Sequence, residues 1–346
     1  MNMNISILVP VFKGSHVLPH ALESLGRQTN KNFEILIGDD NKPEDIVESD
    51  KTLKVIENFH AMEVAEGSKI HIRYLKNKTN LGCHKNFENL VKEAKNNIVL
   101  FLAQDDMFSV DAVQKVIDAF EEFPEAAFLT RPYFWFETDY RKPIRHVPPL
   151  NPKKNVLMKL KDGERTVQGV FGTVGQISGL ALRKNLLRVP YHTDIFPGHI
   201  YPLADLLKDY PAIFLKDYIL AVGTLDSQSR HISNIYDDSP TEQWMRMFHT
   251  IYADKKYKKF LAHCVKHMAT NYEGLIQIKN FGKPGKAEKE IFILLKYRWQ
   301  NIFVPRFWLY SILAVIMPRS ILIRLTDYYK RVFVSKRIPS INFNYV

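Results

Sequence analysis

The sequence predicts an α/β fold, a sheet flanked by helices, followed by a second region made of helices alone. Three observations carry this. Short apolar, β-branched segments alternate with stretches of helical spacing over the first two thirds of the chain, a pattern that implies parallel pairing with right-handed crossovers. Two of those segments run straight into acidic turns, Gly38-Asp39-Asp40 and Gln104-Asp105-Asp106, and open α/β sheets bind their ligands outside the carboxyl ends of the strands. From about Pro240 onward the pattern changes to helices. At 346 residues the chain is longer than one core usually serves, so two regions are expected, 1–235 and 236–346.

In chain order, Ile5 to Val9 is the first strand, an apolar run ending at Pro10. Ser15 is placed to cap a helix with Leu18, Leu22 and Leu25 on one face. Phe33 to Ile37, Ile70 to Leu75 and Ile98 to Leu102 are the next strands, with the Asn80-Leu81-Gly82 loop and a helix before the last of them. Val110 to Phe123 reads as a helix stopped by Pro124, and Ala127 to Phe136 as a strand. The Pro-rich, basic run from Arg141 to Lys154 reads as a surface loop. Gly172, Gly175 and Gly179 lie among apolar residues, which suits backbone that a ligand approaches closely. A helix through Lys208 with Pro202 as its first residue, and a strand from Ala212 to Val222, complete this half.

Lys and Arg outnumber Asp and Glu by 48 to 37, a formal charge of +11. That balance points to an anionic partner: nucleic acid, a nucleotide-linked substrate or an anionic membrane surface. Cys83 and Cys264 are the only cysteines, and their spacing indicates neither a disulfide framework nor a zinc site. Met1 to Pro10 lack the basic start and long apolar middle of a signal peptide, so a cytosolic location is expected. Asp105 and Asp106, at the end of a buried strand, are suited to holding a divalent cation on a phosphorylated substrate. The plainer reading is a helix N-cap, a task open to Asp106 or Ser109.

With Pro10 to Phe12, the Gly38-Asp39-Asp40 turn, the Asn80-Leu81-Gly82 loop with Asn86, and Gln104-Asp105-Asp106 in that order, the chain resembles the family 2 glycosyltransferases of the GT-A fold. The resemblance spans roughly residues 4 to 235. It implies a Rossmann-like mixed sheet, a nucleotide-sugar donor bound over its first half, and a divalent metal, magnesium or manganese, bridging the diphosphate. Pro10 and Phe12 match the segment lining the nucleoside, Asp39 the acidic residue bonded to the base, and Asp40 its neighbour, more often structural. Asp105 and Asp106 match the turn that addresses the ribose and the metal. One departure is Ala103, where the family often has another aspartate.

Around this frame, Asn80 and Gly82 are expected to set the loop beside the diphosphate. Lys85 and Arg73 are candidates to meet donor phosphates as charges, against the plainer reading of solvated side chains. An inverting transfer needs a base for the acceptor hydroxyl. The family usually presents a carboxylate at the start of the acceptor-side helix, and that slot falls near Gly198 to Pro202, where the chain offers His199, with Asp194 and Asp205 as rivals. The run Asp226 to His231 is similar to the segment that closes over the diphosphate, with Arg230 on phosphate and His231 on the metal.

Between Lys255 and Arg337 basic residues outnumber acidic ones several-fold and interleave with aromatic ones such as Trp299, Phe303 and Trp308. The apolar run Phe307 to Met317 falls short of the ~20 residues that span a bilayer. Basic, aromatic helices suit the membrane interface, although the same stripe also reads as plain helical core. The expectation is a metal-dependent, inverting glycosyltransferase, peripheral on the inner face of the cell membrane. Its acceptor would be a saccharide or lipid-linked saccharide, as in assembly of bacterial surface polysaccharide. Two other classes stay open: a non-catalytic nucleotide-sugar binder, and a nucleic-acid-binding protein. The second is opposed by strand-end carboxylates, which repel phosphate unless a metal intervenes.

Overall fold

The structure is a computed structural model that describes residues 4–68, 70–225 and 233–345. Its first half alternates as expected: β1 (Ile5–Val11), α1 (Leu18–Gly26), β2 (Phe33–Asp39), α2 (Ile46–Ala65), β3 (His71–Lys76), α3 (Cys83–Glu93) and β4 (Ile98–Phe101). The four strands pair in parallel in the order β3-β2-β1-β4. β2 is buried along its whole length, as a parallel strand covered on both faces must be.

The chain continues through β5 (Asp106–Phe108), α4 (Ala112–Glu122), β6 (Phe128–Thr130), β7 (Tyr133–Phe136), β8 (Arg145–Val147), β9 (Val156–Met158), α5 (Glu164–Thr166), β10 (Ala181–Arg183), α6 (Ile200–Leu206), β11 (Ala212–Phe214) and β12 (Leu220–Gly223). Among the described residues these strands complete a mixed eight-stranded sheet, β3-β2-β1-β4-β10-β6-β11-β9, and a second sheet, β5-β12-β7-β8.

Two expected strands are each divided. The Ala127 to Phe136 run breaks at Arg131-Pro132, so that β6 joins the large sheet and β7 the small one. Pro132 has no N–H for a ladder, which favours a break there. The Ala212 to Val222 run breaks in the same way, β11 following β6 and β12 following β7. Within the expected loop Arg141 to Lys154, β8 pairs antiparallel with β7. Ser15 does not cap α1: the cap position is Val17, and the Ser15 N–H donates instead to Glu48 Oε1 at 3.1 Å. α6 begins at Ile200, which puts Pro202 in the first turn, where a missing N–H costs no helical bond. α2 has no clear apolar stripe in the sequence because its buried positions, Thr52, Ile56, Phe59 and Glu63, are half polar.

One core lies between the large sheet and α1 and α4, built on Ile7, Ile35, Leu22, Val116 and Phe120. The other covers the opposite face with α3 and α6, through Leu8, Leu36, Phe87, Phe101 and Tyr201. The helical region follows as α7 (Pro240–Ile251), α8 (Lys258–Ala269), α9 (Glu273–Phe281), α10 (Lys286–Tyr297), α11 (Pro305–Ile316) and α12 (Arg319–Tyr329). α7 starts on an N-cap, Ser239, whose Oγ accepts from the Glu242 N–H at 3.0 Å. Trp244, Phe248 and Phe260 of α7 and α8 belong to the second sheet core, so packing crosses the expected 235/236 division. A separate core around Tyr272, Leu275, Leu294 and Phe307 holds α9, α10 and α11 together. The tail returns to the sheets, where the Val110 N–H donates to Asn344 C=O at 2.7 Å. No helix of the described residues is long and apolar enough to cross a membrane.

Candidate active site

The carboxyl ends of β1, β2 and β4 are laced together by side-chain amides. Gln104 Oε1 accepts from the Phe12 N–H at 2.9 Å while its Nε2 donates to Phe12 C=O at 3.1 Å. Asn41 Oδ1 accepts from the Lys13 N–H at 2.7 Å, and the Asn41 N–H donates to Asp39 Oδ1 at 2.8 Å. Gly14 is required here because a side chain would collide with Gln104. The end of β1 and the residues after it, with Pro10 and Phe12 half-buried, are therefore held on two sides.

Asp39 is fully buried at the end of β2. Its Oδ2 accepts from the Tyr74 hydroxyl at 2.5 Å and lies 3.3 Å from Lys76 Nζ. Burial, reinforced by Asp39, pushes the Tyr74 hydroxyl to a higher pKa. Asp40 organises the next loop. Its Oδ1 accepts from the Leu81 N–H at 2.7 Å and Asn77 Nδ2 at 2.9 Å, and its Oδ2 from the Gly82 N–H at 2.8 Å. Asn80 Nδ2 donates to Asp40 C=O at 2.5 Å. Gly82 opens α3 at φ 79°, ψ 161°, a region that only glycine occupies cheaply. Asp40 is thus the buried anion that satisfies a helix-entry loop.

The acidic turn divides its labour. Asp106 is buried, with Oδ2 accepting from Ser178 Oγ at 2.5 Å and Gln176 Nε2 at 3.1 Å and Oδ1 from the Gly223 N–H at 3.1 Å. Burial and the neighbouring Asp105 push its carboxyl above the ordinary range, opposed by the bonds from Ser178 and Gly223 and by the Arg131 charge. Asp105 stays half-buried on the rim, its backbone packed so close to β12 that a side chain at Gly223 would strike the Asp105 carbonyl. The plainer N-cap reading does not hold, because Asp106 begins β5 and α4 starts at Ala112 after Asp111.

Arg131, at the break between β6 and β7, is fully buried behind this turn. Its Nη2 donates to Gln176 C=O at 2.7 Å and to Ser178 C=O, and its Nη1 reaches Thr173 C=O at 3.4 Å. Burial lowers its pKa to about 10. Arg131 therefore fixes the segment that binds Asp106 and supplies its nearest buried countercharge. Arg131→Met is expected to cost about 3 to 5 kcal/mol of folding stability, the penalty for removing one member of a buried charge arrangement. Urea unfolding checks this, and a loss under about 1 kcal/mol would deny Arg131 that role.

The same segment also meets the start of α6. Val174 C=O accepts from His199 Nε2 at 2.7 Å, and the His199 ring stacks on His84 with centroids 5.6 Å apart. His84, in the first turn of α3, donates from Nε2 to Ile195 C=O at 2.9 Å. Asp194 lies beside this pair, accepting from the Tyr201 hydroxyl at 2.8 Å, with His192 Nδ1 at 3.3 Å and Arg246 Nε at 3.6 Å. Gly198 makes room for His84 and for the turn of this loop.

Burial, with His84 adding to it, drives the His199 pKa down to about 3. Folding with a neutral histidine of ordinary value 6.5 has a defined sign: as pH falls from 6.5 towards 3, the unfolded chain takes up a proton that the native state refuses, and stability drops. Relative to His199→Gln, the native protein is expected to lose about 1.4 kcal/mol per pH unit across that window. Denaturant titrations of both proteins at several pH values measure the difference, and parallel curves would contradict it.

Several expected residues are held elsewhere. Asp205, on α6, faces Arg188 Nε at 2.9 Å and Lys208 Nζ at 2.7 Å. Arg73 is engaged by Glu34 and Glu93, the latter at the carboxyl end of α3 and so at the opposite edge of the sheet from the acidic turns. Lys85 pairs with Glu88 on the surface of α3 at 2.9 Å. Arg230 and His231 lie outside the described residues. Among the described residues no group of three His, Cys, Asp or Glu side chains converges as a metal cage. A single rim carboxylate, Asp105, still suits an ion of the magnesium type, which is commonly held by one or two carboxylates and completed by substrate phosphates.

The sequence profile of Glycosyl transferase family 2 matches residues 6–183, just over half of the chain. An uncharacterized glycosyltransferase of Haemophilus influenzae is 29% identical over 128 residues, 37% of this chain and 38% of that protein. A second, from Rickettsia felis, is 31% identical over 121 residues, 34% and 17% of the two chains. The match thus spans well under half the length of either curated relative. Among solved structures, S. aureus TarS 1–349 in complex with UDP-GlcNAc superposes with TM-score 0.58 at 17% identity, covering 96% of this chain and 89% of that one. The mannosyltransferase PcManGT from Pyrobaculum calidifontis, in complex with GDP-Man and Mn2+, gives 0.55 at 11% identity over 95% and 87%. With the profile covering the parallel strands β1 to β4, the acidic turns and the loop before α3, and the architecture shared over 96% of the chain, the chain belongs to glycosyl transferase family 2 and has the GT-A fold.

Proposed function

We propose that this chain moves a sugar from a nucleotide-sugar donor to a hydroxyl of a saccharide or lipid-linked saccharide, in a single inverting displacement. The observation that carries the reading is the meeting, at the carboxyl ends of β1, β2 and β4, of a fixed Pro10–Phe12 segment, the Asp40-anchored loop at Gly82 and the rim carboxylate Asp105. Asp194 stands on the loop that packs against the same α3 entry. The donor ligands named for the two structural neighbours, UDP-GlcNAc and GDP-Man, support it by analogy of fold.

In this reading the nucleoside lies along Pro10 to Phe12 and the diphosphate lies between Gly82 and Asp105. Asp105 would hold a manganese or magnesium ion, and Asp106 keeps that turn in place from behind. Such an ion, when bound, offsets the charge that grows on the departing diphosphate. The acceptor oxygen forms a bond to the anomeric carbon as the bond from that carbon to the diphosphate breaks, and the acceptor proton passes to the Asp194 carboxylate. His199, neutral and bonded to Val174, positions His84 and the Asp194 loop. The setting proposed is the cytoplasmic face of a membrane, where the chain is held peripherally.

Calorimetric titration with UDP, GDP, CDP and dTDP, with and without manganese, tests the donor half. One base is expected to bind at least about tenfold tighter than the rest and to need the metal, and the matching nucleotide sugar is then expected to turn over. Binding without turnover would support a non-catalytic binder, and no binding of any nucleotide would overturn the reading.

A further inference from the structure

We propose that the outer face of α10, α11 and α12 is a membrane-docking surface that lies flat in the headgroup region of an anionic bilayer. α11 turns Phe307, Ser311 and Ala314, at helical spacing, toward the body of the protein, where Phe307 meets Tyr272 edge-on with ring centroids 5.5 Å apart. Its opposite face carries Trp308, Leu309, Ile312, Val315 and Ile316, each 46–74% exposed. A helix facing water has polar residues on that side, whereas one that is apolar all round has a cover. The elements before and after it in the chain also carry exposed apolar residues: Phe303 in the turn before α11, Phe292 on α10, and Ile321 and Leu325 on α12. Five large apolar side chains exposed together on one helix face mark an interaction site.

Charge selects the occupant. Residues 291–337 contain nine basic side chains and one acidic one, Asp327, and stay in basic excess after Lys296, Arg306 and Arg331 pair with Glu242, Glu273 and Glu137. Two copies meeting through this face would bring like charge against like, whereas a surface of anionic lipid is complementary. Geometry agrees, since α11 has 12 residues and reaches about 18 Å, too short to span a bilayer but suited to lying in its plane. Trp308 donates its ring N–H to Ile302 C=O at 2.8 Å and leaves its apolar ring half exposed, a body suited to headgroup depth. The docking deepens the peripheral setting proposed above and rests on it for its purpose, delivery of the site to a lipid-linked acceptor. The exposed face and its charge stand independently of the transfer chemistry.

Co-sedimentation of the full chain with phosphatidylcholine vesicles, with and without phosphatidylglycerol, tests it. Binding to the anionic vesicles is expected to be at least about tenfold tighter and to weaken as salt is raised. The double variant Trp308→Glu, Ile312→Glu is expected to abolish binding, and Arg324→Glu to weaken it about fivefold or more. Nucleoside diphosphate titration of the same variants confirms that they are folded, because none of these residues touches the donor site. Equal binding to neutral vesicles, binding retained by the double variant, or a wild-type dimer that the double variant splits would each overturn the proposal. A native chain that binds nucleoside diphosphate but no vesicles sinks only the surface. The reverse result sinks only the transfer reading.

Discussion

Asp105→Asn is expected to lower kcat/KM for sugar transfer by about 10³-fold, roughly 4 kcal/mol of barrier, with little loss of folding stability. The two carboxylates of the acidic turn are not equivalent. Asp106 spends its oxygens on Ser178, Gln176 and Gly223 and is buried, so a metal would have to displace protein bonds to reach it. Asp105 remains at the rim. Opposite unit charges ~4 Å apart at an effective dielectric near 20 attract by about 4 kcal/mol, and a doubly charged ion by about twice that, so one carboxylate is enough to govern metal retention. Asp106→Asn should instead show its loss first as a lowered urea midpoint. Manganese titrations of transfer rate distinguish the two, and an Asp105→Asn enzyme within about threefold of the native rate would remove Asp105 from the metal's coordination.

Asp194→Asn is expected to cost about 10² to 10⁴ in kcat, the range for loss of a general base, while nucleoside diphosphate binding stays near native. His199→Gln is expected to keep the rate within about tenfold. The difference follows from protonation. His199 is held neutral by burial with its pKa near 3, so taking a proton at neutral pH is opposed by about 1.4 kcal/mol for each pH unit of separation. Asp194 is a carboxylate flanked by Tyr201, His192 and Arg246, all able to donate to or offset its charge. Single-turnover rates with donor and acceptor, measured beside donor affinity, make the comparison. The opposite ranking of the two variants would exchange their roles.

Much of this arrangement was legible in the linear chain. Strand, helix and acidic turn follow one another in β1 to β4 at spacings set by local periodicity, and the Asn80-Leu81-Gly82 loop announces itself by residue type. Gln104 was legible only as a member of the turn, because its two bonds to Phe12 cross 92 positions. Arg131 carried a faint signal, an arginine before a proline inside an otherwise apolar strand, but its partners come from residues 42 to 47 positions away. Arg73, Lys85 and Asp205 were plausible as charges near a phosphate or an acceptor. In the structure these three form ion pairs with Glu34 and Glu93, with Glu88, and with Arg188 and Lys208, contacts that the linear chain does not announce.

By itself the sequence determined the order of elements from β1 to β4, the parallel first half of the sheet and the acidic residues at its rim, because hydrophobic period and turn chemistry act over a few residues. Only the tertiary structure decided which sheet each half of a broken strand joins, that Asp106 is buried and Asp105 is not, and that His199 is neutral. Burial, hydrogen-bond partners and neighbouring charge are set by residues distant in the chain, and these same three quantities set the chemistry of an ionisable side chain.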